Sequence, residues 1–310
     1  MSEAKRPTSA STRIITTTLL DSIIILFRNK RIFLSIFTFL TLPLSALHFC
    51  LTLLSLHLKD HVFHLEALAN VVHTRFEARQ IWQESREDAV SLLRLKSRFF
   101  IPSFILSCIS CITATTSSSV SYHGQNPSLR TASASVKSSW MRVTVTSITI
   151  YTLLFLYSAI PLFLSAFFHS MPALRFPFMV LSLCVEVYMM AVTGLGLTAS
   201  ALEEQYGLDA VWVGSSLMKG RRVSGLALSG GFVFLSSLMG NAMEKRARAV
   251  QVAEAESWWG AMAAGGWDGA GLVLLYAAEV LIGYVVTTVF YCECKRRHEN
   301  RDEDVVLVDL

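Results

Sequence analysis

Apolar residues crowd into six long stretches of this 310-residue chain, and between them charged residues, Ser, Thr and His return. Read with a window of about 19 residues, the stretches fall at Ile32–Leu56, Phe99–Ser121, Val143–Phe168, Phe176–Ala201, Val223–Gly240 and Ala270–Cys292. A hydrocarbon core about 30 Å deep takes about 20 helical residues, so each stretch is long enough to cross it. Backbone amides inside lipid find partners only within helices or closed barrels, and these runs are continuous rather than alternating. The pattern therefore predicts an all-α, polytopic membrane helix bundle with six transmembrane helices plus amphipathic surface helices. The fifth stretch is the shortest and carries Gly225, Gly230 and Gly231, so its ends are the least defined.

Outside the six stretches the chain divides into an N-terminal segment (1–31), the membrane domain (32–292) and a tail (293–310). Residues 13–29 are apolar-rich and run into the basic cluster Arg28-Asn29-Lys30-Arg31, as an amphipathic helix on the membrane surface would. The segment 57–98 lacks Pro and Gly, and Leu58, Val62, Leu65, Ala69, Val72 and Phe76 recur at alternating steps of four and three. That period predicts one or two extramembrane helices packing an apolar stripe, with the region around Trp82–Asp88 exposed. Basic knots precede the first, third and fifth stretches, a weak echo of three hairpins each introduced by a surface helix. The acidic and apolar alternation of Glu299–Leu310 is expected to be a short solvated tail. Met1–Leu20 is rich in Ser, Thr and Arg and carries no h-region, so no cleavable signal is expected; a transit peptide is the alternative, against which Glu3 and Asp21 count.

Composition agrees with the pattern. Hydrophobic residues make up 53% and charged residues 16% of the chain, against about 45–50% and about 25% in soluble domains. Disorder and a disulfide-stapled secreted module are excluded by the apolar content and by only six Cys in this length. The Lys and Arg near span ends favour the side holding the N-terminus, which places both termini in the cytosol. Arg28, Lys30, Arg31, Lys219, Arg221 and Arg222 become candidate contacts to anionic headgroups. The net charge of +4 is accounted for by such clusters and gives no support to a nucleic-acid partner.

Two acids lie deep in apolar stretches, Glu186 in the fourth and Glu279 in the sixth. Intramembrane carboxylates usually face the bundle interior and mark ion or proton pathways, though a Glu that only hydrogen-bonds across helices is the plainer reading. The second stretch carries Ser103, Ser107, Ser110, Ala114, Ser117 and Ser121 on one face, either a close-packing stripe or the lining of a polar path. His57, His61 and His64 share a helical face near Asp60, a weak metal candidate because zinc needs a fourth ligand or a water. Cys108 and Cys111 sit in an apolar span, where a C-x-x-C pair is inert. Cys292 and Cys294, beside Lys295-Arg296-Arg297, have a context suited to S-palmitoylation. Phosphate loops, dinucleotide fingerprints, zinc-protease helices and nucleophile elbows are missing, so neither an enzyme nor a cofactor is expected.

Four places carry a family resemblance: Leu26-Phe27-Arg28-Asn29-Lys30-Arg31 leading to Leu42-Pro43-Leu44-Ser45; the Ser-rich end of the second stretch; Leu202-Glu203-Glu204-Gln205-Tyr206-Gly207-Leu208-Asp209-Ala210 running into Ser215-Ser216-Leu217-Met218-Lys219-Gly220-Arg221; and Thr288-Val289-Phe290-Tyr291-Cys292-Glu293-Cys294-Lys295. Together they resemble a family of six-span plant membrane proteins without an established activity and, more distantly, the membrane domain beside bacterial glycerophosphodiester phosphodiesterases. The resemblance implies a multi-pass membrane protein; it carries over no phosphodiesterase chemistry, since the soluble catalytic barrel and its His-Arg-Gly segment are missing here. Two functions compete at this point. One is a non-enzymatic protein that organises membrane lipids or partner proteins, other copies of itself included, in the plasma membrane or endoplasmic reticulum. The other is a small-solute or proton-coupled carrier using Glu186 and Glu279.

Overall fold

The computed structural model describes residues 7–71, 75–167, 172–252 and 266–308, and helix is the only regular structure among them. The order is α1 (Pro7–Arg28), α2 (Lys30–Ile36), a π-helical turn (Phe37–Thr41), α3 (Leu42–Val71), α4 (Arg75–Tyr122), α5 (Leu129–Phe167), α6 (Pro172–Leu202), α7 (Gly207–Leu217), α8 (Arg222–Val252) and α9 (Gly266–Val308). Six helical segments are long and apolar enough to cross a membrane: Lys30–Ala69, Arg79–Tyr122, Leu129–Pro161, Phe176–Leu202, Arg222–Val250 and Gly269–Asn300. They overlap the six stretches read from the sequence, and their outer faces carry bare Phe39, Phe155 and Phe234. Large apolar side chains turned outward in such number suit a solvent of acyl chains. This is a membrane protein.

The chain forms two compact units. The first contains residues 1–36, 108–234 and 280–310. Its core gathers Val192, Leu195, Ala199, Met218, Val286 and Phe290. Helices α6 and α7 approach so closely that a Cβ on Gly214 would stand 2.6 Å from the Val192 carbonyl oxygen, and one on Gly196 3.0 Å from that of Ala210. Only hydrogen fits there, which is how small residues let membrane helices touch backbone to backbone. The chain enters α7 through Gly207 at φ +63, and its N–H donates to Thr146 Oγ1 of α5 at 2.9 Å. A neighbouring helix thus satisfies one of the donors that a helix start leaves open. Tyr206, Leu208 and Trp212 point outward, with Trp212 72% exposed, in the manner of interfacial aromatic anchors.

The second unit contains residues 37–107 and 235–279. Ser45 Oγ donates to the Val273 carbonyl at 2.6 Å, and the His48 and Tyr276 rings stack 5.3 Å apart. Lys59 pairs with Glu244 at 3.5 Å, and Arg248 reaches both Glu244 at 2.9 Å and Asp60 at 3.8 Å. The π-helical turn lies just before Pro43, which lacks an N–H, and Thr41 Oγ1 covers the Phe37 carbonyl at 3.1 Å. A local change of winding of this kind absorbs the lost ladder bond.

The segment 57–98 is helical as expected, α3 continuing to Val71 and α4 beginning at Arg75. Of its stripe, Leu65 and Ala69 are buried and Leu58 and Val62 half-buried, whereas Phe76 is 79% exposed and Val72 lies outside the described residues. The third span has no surface helix of its own, since α5 runs unbroken from Leu129, so only α1 and α7 fit the hairpin echo. The expected solvated tail is helical, continuing α9 to Val308, with residues 309–310 outside the described set.

Candidate functional site

Outward-facing positive charge meets an outward-facing apolar surface where α1 ends. Along α1 the inward positions are Thr18, Ser22 and Ile25, while Leu20, Ile23, Ile24 and Phe27 face out, Phe27 being 76% exposed. The amphipathic helix expected here is present, but its polarity is the reverse of a soluble protein's helix: small and hydroxylated residues inward, bulky hydrocarbon outward. That is the arrangement for lying in a bilayer interface. Asn29 separates α1 from α2, with its N–H on the Ile25 carbonyl at 3.2 Å and its own carbonyl taken by Ile32 N at 3.1 Å.

Here the chain is pinned to the end of α4. The Arg28 guanidinium donates to the Ser121 carbonyl, and Asn29 Nδ2 donates to Ser121 Oγ at 2.9 Å. Lys30 and Arg31 remain exposed. Together with Asn126 and Pro127, these residues border an open groove of about 540 Å³. The far wall is built by a turn in which Gly124 adopts φ +79, followed by Ser128, whose Oγ accepts from Thr131 N at 3.1 Å and so caps α5. A larger cleft of about 960 Å³ lies on the α3–α4 hairpin, but there Glu66 and Glu87 face Arg79, Arg86 and Arg94, so its charges largely cancel.

Of the other candidate headgroup contacts, Lys219 and Arg222 are exposed, but Arg221 is not available to lipid. Its Nη1 pairs with Glu293 Oε2 at 2.9 Å, and the same oxygen accepts from Thr18 Oγ1 at 3.3 Å. Glu293 therefore ties α9 both to Arg221, in the turn before α8, and to α1. A second knot, unforeseen from sequence, centres on Glu203 at the end of α6. Its Oε1 accepts from Lys295 Nζ at 2.8 Å and from the Tyr291 hydroxyl, and its carbonyl accepts from Arg142. Burial works against the Glu203 charge, yet the hydrogen bonds from Lys295 and Tyr291 and the Lys295 charge outweigh it and hold the carboxyl below the usual carboxylate range. Arg142 also reaches Ser139 Oγ at 3.0 Å, and Ser139 donates to the Ala201 carbonyl at 3.2 Å.

The two intramembrane acids fall in unlike surroundings. Glu279 is only 6% exposed, its Oε1 accepting from Ser236 and its Oε2 buried without a partner among the described residues. Glu186 lies on the exposed face of α6. The carrier reading needed both acids turned to a common interior, and Glu186 does not meet that condition. In the serine stripe Ser110, Ser117 and Ser121 are fully buried, and Ser103 and Ser107 partly so, which is the packing face expected of small residues. Cys108, also buried, sits 3.8 Å from Ser147 Oγ, linking α4 to α5, and Cys111 is buried beside it in sequence.

His57, His61 and His64 all lie on the exposed side of α3, and His61 Nδ1 meets Asp88 Oδ2 of α4 at 2.6 Å. No group of three His, Cys, Asp or Glu side chains capable of holding a metal occurs among the described residues. Cys292 and Cys294 are 8% and 3% exposed, so the sequence context for acylation comes without the exposure that an acyl transfer requires.

No match is found among curated proteins or among solved structures. Residues 14–309 match a family described as "Domain of unknown function (DUF8558)", a span that takes in the whole set of six membrane helices and the site at the end of α1. The chain belongs to the DUF8558 family.

Proposed function

We propose that this six-span membrane protein is non-enzymatic and organises anionic lipid along the membrane face on which α1 lies. One observation carries the reading: α1 turns Leu20, Ile23, Ile24 and Phe27 outward and ends in the exposed Lys30 and Arg31. Apolar residues at that depth displace headgroups, and each basic group beside them contributes about 1 kcal/mol with anionic lipid. The outward Tyr206 and Trp212 near α7 support the same interfacial placement. The distant resemblance to a membrane domain that accompanies glycerophosphodiester phosphodiesterases is compatible with a lipid-facing role.

The test is photolabelling of the full-length protein in vesicles by a phospholipid that carries a diazirine in its acyl chain. Adducts on the α1 peptide containing Leu20–Phe27, increasing when anionic lipid replaces zwitterionic lipid, are the expected result. The spans serve as an internal positive control. Labelled spans with an unlabelled α1 would show that protein, either a partner or a second copy, covers this face, and the lipid reading would fall.

A further inference from the structure

We infer that the groove bounded by Arg28, Lys30, Arg31 and Asn126 is a binding site for a phospholipid whose headgroup ends in a phosphate monoester. The inference rests on the reading that α1 meets anionic lipid and adds which headgroup it selects.

Three features of the groove point there. Its lining carries three cationic side chains and no acid, unlike the larger cleft on the α3–α4 hairpin, where Glu66 and Glu87 stand among the arginines. An anion entering the groove meets uncancelled charge. The lining is also held in place before any ligand arrives: Arg28 and Asn29 are tied to Ser121, and the opposite wall is set by Pro127 and by Ser128 capping α5. The backbone that carries Lys30 and Arg31 is thus set by its tied neighbours Arg28 and Asn29, which reduces the ordering cost of binding and favours a compact anion over a diffuse ionic atmosphere. Finally, the outward apolar face of α1, ending at Phe27, leads directly into Arg28. A ligand with acyl chains can lie along it while its phosphate occupies the groove.

Charge decides among headgroups. A phosphate monoester carries about −1.5 to −2 near pH 7, whereas a diester carries one negative charge. Serine and ethanolamine headgroups also bring an ammonium that Lys30 and Arg31 repel. A terminal phosphate presents several acceptor oxygens to a guanidinium, matching the paired donors of Arg31.

The experiment uses the full chain in detergent micelles holding equal amounts of phosphatidic acid, phosphatidylglycerol, phosphatidylserine and phosphatidylcholine with identical acyl chains, and reads retained lipid by native mass spectrometry. Retention of phosphatidic acid at least tenfold above phosphatidylglycerol is expected. The double variant Lys30→Gln, Arg31→Gln should lower that retention by about thirtyfold, the effect of removing two surface cations. Lys30→Arg, Arg31→Lys should preserve it, which separates lost charge from a misfolded site. Arg28 is left intact because it holds Ser121. Equal retention of all three anionic lipids, above that of phosphatidylcholine, would overturn the monoester inference and leave the anionic-lipid reading standing. No anionic preference at all would sink both. Displacement of phosphatidic acid by millimolar inorganic phosphate would identify free phosphate as the ligand and overturn the lipid assignment.

Discussion

Glu203 joins three helices through one carboxylate and one carbonyl, and its environment gives it a testable pH signature. Its carboxyl is held below the usual range in the folded protein, so it contributes stability above the unfolded value near pH 4.3, and that contribution is lost as pH falls through the lower folded value. Thermal unfolding in detergent should therefore show wild type losing stability below about pH 4.3, with Glu203→Gln less stable at neutral pH and flatter on the acid side. Replacement by Ala should cost about 1–3 kcal/mol at neutral pH, since it leaves the partly buried Lys295 and Tyr291 without their acceptor. Glu279 gives a second contrast. Glu279→Gln keeps an acceptor for Ser236 and should be nearly neutral in melting temperature, while Glu279→Ala strands that hydroxyl and opens a cavity. The exposed Glu186 should tolerate both changes, and a matching loss there would contradict its placement. Sequence position showed that Glu279 sits in an apolar run, but not that Glu203 has partners 88 and 92 residues away. Pairings over such distances leave no local spacing to read, whereas burial of an acid in hydrocarbon does.

At the level of elements, the six spans were legible because a lipid solvent demands uninterrupted apolar length, and that demand is written residue by residue. The extramembrane helices were legible only in part. α1 is marked by its basic terminus and the helix of 57–98 by its apolar period, but the period does not say that this helix is continuous with the spans on either side, because a helix leaving lipid for water changes composition without changing period. The close contact of α6 and α7 is not legible in the sequence, because Gly214 takes its meaning only from the Val192 oxygen 2.6 Å from where a Cβ would stand. Gly214→Ala must push two backbones apart, and a cost of about 1–3 kcal/mol is expected. Gly231→Ala meets nothing within 4 Å, so it should be neutral or slightly stabilising through helix propensity. Melting temperatures of the two variants, side by side in one detergent, decide whether the contact is as tight as the geometry says; equal losses would refute it.

For the molecule as a whole, an even number of crossings would put the two ends of the membrane domain on one face, and the positive-inside rule gives the face to expect. Lys30, Arg31, Lys219 and Arg222 lie exposed at the starts of the first and fifth spans, and the Arg221–Glu293 and Lys295–Glu203 ties bring the end of α9 to the same helix ends that α1 and α7 flank. These contacts are independent of the hydropathy count, yet they require the same topology: Thr18 near the start of the chain and Glu293 near its end share a hydrogen bond. Residues that close cannot lie across a bilayer about 30 Å thick. Reporters fused to the two ends are expected to respond from one compartment, the cytosol if the positive-inside rule holds here. Opposite compartments would mean an odd number of crossings and would break the Thr18–Glu293 contact together with the groove beside it. Reporters on one face but outside the cytosol would spare the fold and the groove, and would count against the proposed role with anionic lipid by placing α1 on the leaflet that ordinarily holds the fewest such lipids.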